Sequence, residues 1–376
     1  MGAIWVTIND DDLKHAGDAA DFLQGEFGAP DADPVWSAAY LRWKLGPASP
    51  AGSGYVSLAM VDDQVVGIVS LTKKRLLIDG KETIGGEVGD TYSSARVRRS
   101  VQPADLSPLN SDPQHFINRS IFGRLASDVR ARAEADGISI IYGTPNHNAY
   151  PGWTKRLGYF ELQSYGNQSF SRPTWRMVLK KYPFIAFAGT CLRIADNGLI
   201  ASHAWLWRIV ARGFILDQNP PSEDEIEKLW NRTKPAMGFS LIRDAAYWRH
   251  RYDLHPLAEY SLFGIRFKGD LVSVIAVRLA SIAGGKPVLS IVEWMMEERV
   301  PFGYVLAQLI HACKDWKIET INLWANASGM EAKAARRSFF SARARVPIIF
   351  ADTLQGQRLG KAAGGFLFFL GSSDAA

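Results

Sequence analysis

The stretch GEVGDTYSSARVRRS, Gly86 to Ser100, places two carboxylates, Glu87 and Asp90, in one β-rich run. A carboxylate beside a protonated amine can take its proton, which is general-base chemistry. Residues three apart face opposite sides of a regular strand, so only one of the pair would serve a given site. Gly89 between them can host a β-bulge, which disturbs that alternation. A bulge also releases a backbone N–H able to bond a developing oxyanion. The plainer reading of each carboxylate is a surface or hydrogen-bonded group. His115 and His147 are lone loop histidines that could also act as bases.

A second stretch, YGTPNHNAYPGWTKRLGY, runs from Tyr142 to Tyr159. The apolar run Ile138–Tyr142 stops at Gly-Thr-Pro-Asn, and extended structure resumes at Gly158-Tyr159. Asn146 just past the strand end either closes its own turn or presents its amide to a ligand with peptide-like groups. Basic clusters at Lys73-Lys74-Arg75, Arg96/Arg98/Arg99, Arg119/Arg124 and Lys155-Arg156 all precede residue 160. Together they point to an anion site in the first half.

Other chemistries lack their motifs. The sequence has no G-x-S-x-G, P-loop, H-E-x-x-H or G-x-G-x-x-G pattern. The 7 histidines are scattered and the 2 cysteines, Cys191 and Cys313, are distant. No metal cluster is expected from them.

The elements that must position these residues occur twice. SAAYLRWKL at Ser37–Leu45 is echoed by DAAYWRHRY at Asp244–Tyr252. Each leads to a predicted hairpin, with turns at Asp62-Asp63 and at Lys268-Gly269-Asp270. A third strand follows (TIGGEVGDTY, PVLSIVEWMM), then a helix, then a strand ending at an Asn (ISIIYGTPN, IETINLWAN), then a second helix. Two similar units of about 150–180 residues result. In the first, Ile121, Phe122, Leu125, Val129 and Ala133 make one apolar helical stripe. Asn118 and Ser120 are good capping types ahead of it, and Gly137 is a stop signal. Trp36, Trp43 and Trp248, in or beside the repeated helix, read as core.

This order, with KRLGY at Lys155–Tyr159 and the Gly86–Ser100 stretch, resembles the GNAT acyltransferase family. The resemblance covers most of the chain at the level of fold and is specific over about residues 86–160. It implies an α/β fold (α+β mixed sheet), with two tandem GNAT-like units, each a twisted mixed sheet flanked by helices. The implied domains are 1–180, acyl-CoA-binding and catalytic; 181–220, an apolar helical connector; and 221–376, a second, degenerate unit. A tandem of this kind is similar to the N-acyltransferases of nucleotide-linked 4-amino-4,6-dideoxy sugars. The family binds the pantetheine arm of acyl-CoA between two splayed parallel strands and the pyrophosphate at a helix start, the general anion site of unpaired N–H groups.

Carried onto this sequence, the resemblance implies acyl-CoA (acetyl-CoA or 3-hydroxyacyl-CoA) as co-substrate and no metal. It implies contacts from Val88, Gly89, Arg98, Arg99, Arg119, Ser120, Ile121, Phe122, Gly123, Arg124, Asn146 and Lys155. Asp90, nearer the strand's open end, is the first choice as base and Glu87 the second. Phosphates of a nucleotide acceptor would account for Lys73, Lys74 and Arg75. The sequence departs from the family in two places. The glycine-rich phosphate turn is replaced by Arg98-Arg99-Ser100 and an inserted segment, VQPADLSPLNSDPQHF. The usual Tyr acid position is Thr154, which leaves Tyr150 as the nearest phenol. In the second unit MMEERVPFGYVLAQL carries acids where phosphate should lie, so CoA is expected in the first unit alone. A catalytically dead scaffold and a GNAT acting on another amine (aminoglycoside, polyamine or peptide) are the alternatives.

Composition fits this class. Hydrophobic residues make up 47% of 376 and charged residues 22%, ordinary for a globular chain. A net charge of +5 suits a phosphorylated small ligand and is too weak to argue for nucleic acid. The opening MGAIWVTINDDDLKH has no signal-peptide pattern, and unpaired cysteines suit a reducing cytoplasm. YPFIAFAGTCLRIADNGLIASHAWLWRIVARGFIL is the most apolar segment. Arg193, Asp196 and Arg208 break it below the ~18 uncharged residues of a membrane span. It reads as a helical connector packed on the core, with a membrane-surface helix as the second reading.

Overall fold

A computed structural model describes residues 5–28, 36–95, 97, 120–138, 140–161, 167–236, 238–282, 286–327, 329–351 and 366–367. The strands are β1 (Val6–Asn9), β2 (Tyr55–Val61), β3 (Gln64–Ile78), β4 (Lys81–Ser93), β5 (Ile141–Gly143), β6 (Phe160–Glu161), β7 (Asn167–Pro173), β8 (Phe214–Asp217), β9 (Phe239–Leu241), β10 (Tyr260–Phe267), β11 (Asp270–Ile282), β12 (Lys286–Met296), β13 (Thr320–Asn326), β14 (Ser341–Val346), β15 (Ile349–Phe350) and β16 (Phe366–Leu367). The α-helices are α1 (Ala16–Phe27), α2 (Ala38–Leu45), α3 (Ile121–Ala135), α4 (Trp175–Lys181), α5 (Gly189–Val210), α6 (Glu223–Thr233), α7 (Ala245–Trp248), α8 (Phe302–Ala312) and α9 (Met330–Arg337).

Two mixed sheets form, in the orders β1-β2-β3-β4-β5-β15-β6 and β14-β7-β13-β12-β11-β10-β8. The predicted hairpins are present. Asp62 and Asp63 both take positive φ, as do Lys268 and Gly269, the backbone that matches the twist of two-residue hairpins. Ser120 caps α3 by accepting from the Gly123 N–H at 3.2 Å, and Gly137 ends that helix with φ +80°. The stripe Ile121, Leu125, Val129 and Ala133 is buried against the first sheet.

The two sheets exchange strands. β7 follows the first unit in sequence but lies between β13 and β14 in the second sheet, pairing with β13 from Asn167↔Asn326 to Pro173↔Thr320. β15 follows the second unit but lies between β5 and β6 in the first. β9 joins the far end of β3, Leu76↔Leu241. The repeated helices also meet: the Trp43 ring stacks on His250 at 4.9 Å, and its indole N–H donates to the His250 carbonyl at 2.9 Å. Every backbone group so paired leaves water with a partner, so neither sheet is complete without the other half of the chain.

At the edge of the second sheet Arg266 holds Asp217 at 2.7 Å and Glu225 at 2.5 Å. The Arg266 hydrogen bond, then the Ser222 N–H, lower the Glu225 carboxyl from its ordinary 4.5 to about 2. A carboxyl depressed in the folded state stabilises the fold above its unfolded value, and that contribution is lost as pH falls toward the folded one. Urea midpoints measured across pH 4.5 to 2 should therefore fall less steeply in Glu225→Gln than in the parent.

Candidate active site

β4 and β5 run parallel, but they pair only at Gly86↔Ile141, Glu87↔Tyr142 and Val88↔Gly143. Beyond that point they part. On the β5 side Thr144-Pro145 ends the ladder, because proline offers no N–H. On the β4 side Asp90 and Thr91 together oppose Val69, between the pairs Ser70↔Gly89 and Ile68↔Tyr92. This is a β-bulge, which bends its strand. The sequence offered Gly89 as a host for it. It falls one residue later because Asp90 takes the left-handed conformation, φ +43°, which Asp tolerates better than most residues. Gly143 is required where the strands last touch: a Cβ there would lie 2.6 Å from a Val88 methyl.

The gap is a cavity of about 270 Å³. Glu87, Val88, Gly89 and Asp90 form one wall, Thr144, Pro145, Asn146, Ala149 and Trp153 another, and Leu23, Phe27, Trp36 and Tyr40 the cover. Two separate stretches singled out in the sequence therefore meet at one site.

Asp90 is anchored. Its Oδ2 accepts from Lys44 Nζ and from Ser70 Oγ, each at 2.7 Å, and its Oδ1 accepts from the Trp36 indole at 3.3 Å. The Lys44 and Asp90 side chains are only 2% and 6% exposed. Lys44 was not singled out in the sequence, and Trp36 was read as core. Both belong to the cavity because α2 packs across the bulge. Their only signal was the repeated Ala-Ala-Tyr helix. Glu87 is buried and faces Lys74 at 3.2 Å.

The second unit repeats this arrangement. The β12–β13 pairing ends at Ile291↔Leu323, the counterpart of Val88↔Gly143, so Glu293 corresponds to Asp90. Glu293 and Arg243 are fully buried and paired. Glu293 also accepts from Tyr247 at 2.7 Å and from Tyr252. Burial, then the Glu293 charge, raises both phenols well above their ordinary range. β12 also bulges here, with Val292 unpaired between Val277↔Ile291 and Ala276↔Glu293, and a wider cavity, about 1400 Å³, lies in this unit with Glu297, Glu298 and Glu331 on its rim beside Arg232 and Arg299.

Several expected contacts lie elsewhere. Tyr150 does not line the first cavity; its hydroxyl donates to Glu161 at 2.8 Å. That bond, ahead of burial, raises the phenol. Asn146 lines the cavity, yet its carbonyl oxygen closes its own turn by accepting from the N–H groups of Asn148 (3.0 Å) and Ala149 (2.9 Å). Ser120, Ile121, Phe122, Gly123 and Arg124 at the start of α3 are outside the cavity lining. Phe122 reaches it indirectly, edge-on to Trp153 at 5.2 Å, and Arg124 stacks on Trp5. Lys155 is exposed on the π-helical turn Gly152–Arg156, also outside the lining. Arg98, Arg99, Arg119, His115 and the inserted segment lie outside the described residues. Lys73, Lys74 and Arg75 are engaged with Asp136, Glu87 and Asp244, so they are not a bare phosphate patch. Among the described residues no group of His, Cys, Asp and Glu is arranged to hold a metal.

No protein-family model matches the sequence, and no curated protein matches it. Solved structures do. Saccharomyces cerevisiae N-myristoyltransferase with bound myristoyl-CoA superposes with a TM-score of 0.58 at 10% identity, over 93% of this chain and 82% of that one. The chain has the tandem GNAT fold. A probable N-acyltransferase from Enterococcus faecalis V583 matches at 0.54 and 12% identity, over 96% and 74% of the two chains. A GCN5-related N-acetyltransferase from Anabaena variabilis matches at 0.53 and 9%, over 92% and 72%.

Proposed function

We propose that this protein is an acyl-CoA-dependent N-acyltransferase whose thioester enters the gap between β4 and β5. The cavity where those strands part after Val88 and Gly143 carries the reading. The backbone N–H groups released at the bulge would bond the thioester oxygen. Asp90 would take the proton of the attacking amine, with Glu87 the alternative base. The Asn146 amide would hold the pantetheine arm, and the thiolate would leave without a dedicated acid, since Tyr150 is committed to Glu161. Residues 98–99 and 119–124 would meet the CoA phosphates. The domain division is the one expected from the sequence, with the exchanged strands shared between units, and the setting is cytoplasmic.

The acceptor is a nucleotide-linked amino sugar in this reading. A second reading is a cationic amine such as a polyamine, aminoglycoside or peptide. It is favoured by one observation: Lys73, Lys74 and Arg75 are each matched by a carboxylate, so they do not stand ready for acceptor phosphates. Thiol release from acetyl-, 3-hydroxybutanoyl- and myristoyl-CoA with each amine class separates the two.

The experiment that tests the site compares two obstructions by calorimetry. Ala149→Trp, in the first cavity, should weaken acyl-CoA binding by at least about 100-fold, some 2.7 kcal/mol. Met330→Trp, at the exposed rim of the second, should change it less than about twofold. The opposite pattern would move the thioester to the second unit. Absence of binding in the parent would leave the scaffold reading.

A further inference from the structure

The connector α5 is apolar on both sides. Its inner side packs firmly on the second unit. Ile200 and Ala204 are buried, the Trp207 ring covers Gly303 on α8, and Gln308 donates to the Ala204 carbonyl at 2.8 Å and accepts from Arg208 at 3.1 Å. The helix is therefore docked, and its other side is not core awaiting a neighbour in its own unit. That other side exposes Ile194, Trp205, Leu206 and Val210, and the turn leading into the helix exposes Phe184 and Phe187. Phe187 is 88% exposed, Phe184 75% and Trp205 64%. A packed monomer seldom leaves so many large apolar groups together in water.

The exposed charge of this segment has one sign. Arg176, Lys181, Arg193 and Arg212 are exposed in this segment. Lys180 is paired with Glu319. Asp196 is the one carboxylate between residues 175 and 215, and it is turned inward onto Arg172 at 2.6 Å. Two copies meeting face to face would set cation against cation, whereas an anionic surface would neutralise them. No helix among the described residues is long and apolar enough to cross a membrane. Aromatic and aliphatic side chains with a basic border fit an element lying in the interface plane, where Lys and Arg near an anionic leaflet strengthen the attachment.

We infer that the face made by Phe184, Phe187 and the outer side of α5 docks on the surface of an anionic lipid bilayer. The inference is independent of the acyltransferase reading, because it uses no residue of the β4–β5 cavity.

Vesicle flotation of the full chain tests it. The parent should float with phosphatidylcholine vesicles containing roughly 30% phosphatidylglycerol and much less with phosphatidylcholine alone, and about 0.5 M NaCl should weaken the attachment. The triple variant Phe184→Ser, Phe187→Ser, Trp205→Ser should bind at least about tenfold less at an unchanged melting temperature. The pair Arg193→Glu, Arg212→Glu should lose the preference for anionic lipid. Three results would overturn the inference: no flotation of the parent with either vesicle, undiminished flotation of the triple variant, or a parent dimer in sedimentation that the triple variant splits.

Discussion

Asp90→Asn is expected to lower kcat for acyl transfer by about 10²- to 10³-fold, the usual contribution of a positioned base. The variant also removes a carboxylate from the Lys44 ammonium, which is 2% exposed. Breaking a buried pair from one side costs about 3–5 kcal/mol, so stability must be measured alongside rate. The pH–rate profile separates the two roles. If Asp90 takes the proton, the variant depends on amine that has already lost it, and its rate climbs about tenfold per pH unit below the amine's own range. A profile of unchanged shape, with kcat falling only as the folded fraction falls, would make Asp90 an anchor for the bulge and pass the base role to Glu87. The second unit makes this a sharp question. Glu293 adjoins the corresponding bulge at Val292 and is tied to its own unit's repeated helix through Tyr247 and Tyr252. An anchored carboxylate is thus common to both units, and only the pH dependence distinguishes an anchor from an anchor that also reacts.

Glu293→Ala should be the most damaging single truncation for stability, at about 3–5 kcal/mol. That is a large part of the roughly 5–15 kcal/mol by which folded domains are stable. The reason is the number of groups that lose a partner together. Arg243 would keep a charge in a fully buried site without its carboxylate, and the hydroxyls of Tyr247 and Tyr252 would lose their acceptor. Chemical denaturation should show the midpoint displaced accordingly. A midpoint within about 0.5 kcal/mol of the parent, the range of ordinary surface changes, would show that this cluster does not hold the second unit together.

Local signals in the sequence were reliable wherever the physics is local. Asp62-Asp63 and Lys268-Gly269 form the turns they should, because positive φ is a property of the turn residues themselves. Ser120 caps its helix because its oxygen reaches an N–H three residues on. The end of β5 was legible in Gly143-Thr144-Pro145, and a bulge beside Asp90 was foreseen within one residue. The repeat was legible from Ala-Ala-Tyr because both copies bury the same helix face over the same bulge.

Side-chain partnerships were less accessible. Asn146 was assigned a ligand contact through its amide, yet its carbonyl oxygen is used in its own turn. Tyr150 was the nearest phenol to the family's acid position, yet its partner Glu161 lies on a strand whose position is set by β15, some 190 residues away. Lys44 escaped notice because a lysine on an amphipathic helix is usually solvated.

By itself the sequence determined the element order, the duplication, the turns and the two stretches that meet at the cavity, since each depends on backbone propensity or periodicity within a few residues. The tertiary structure alone decided the exchange of β7 and β15, the burial of Lys44 against Asp90, and the exposure of an apolar face on α5. Those depend on which distant segments compete for the same hydrogen-bonding edge or the same patch of core, and nothing within a short window records that competition.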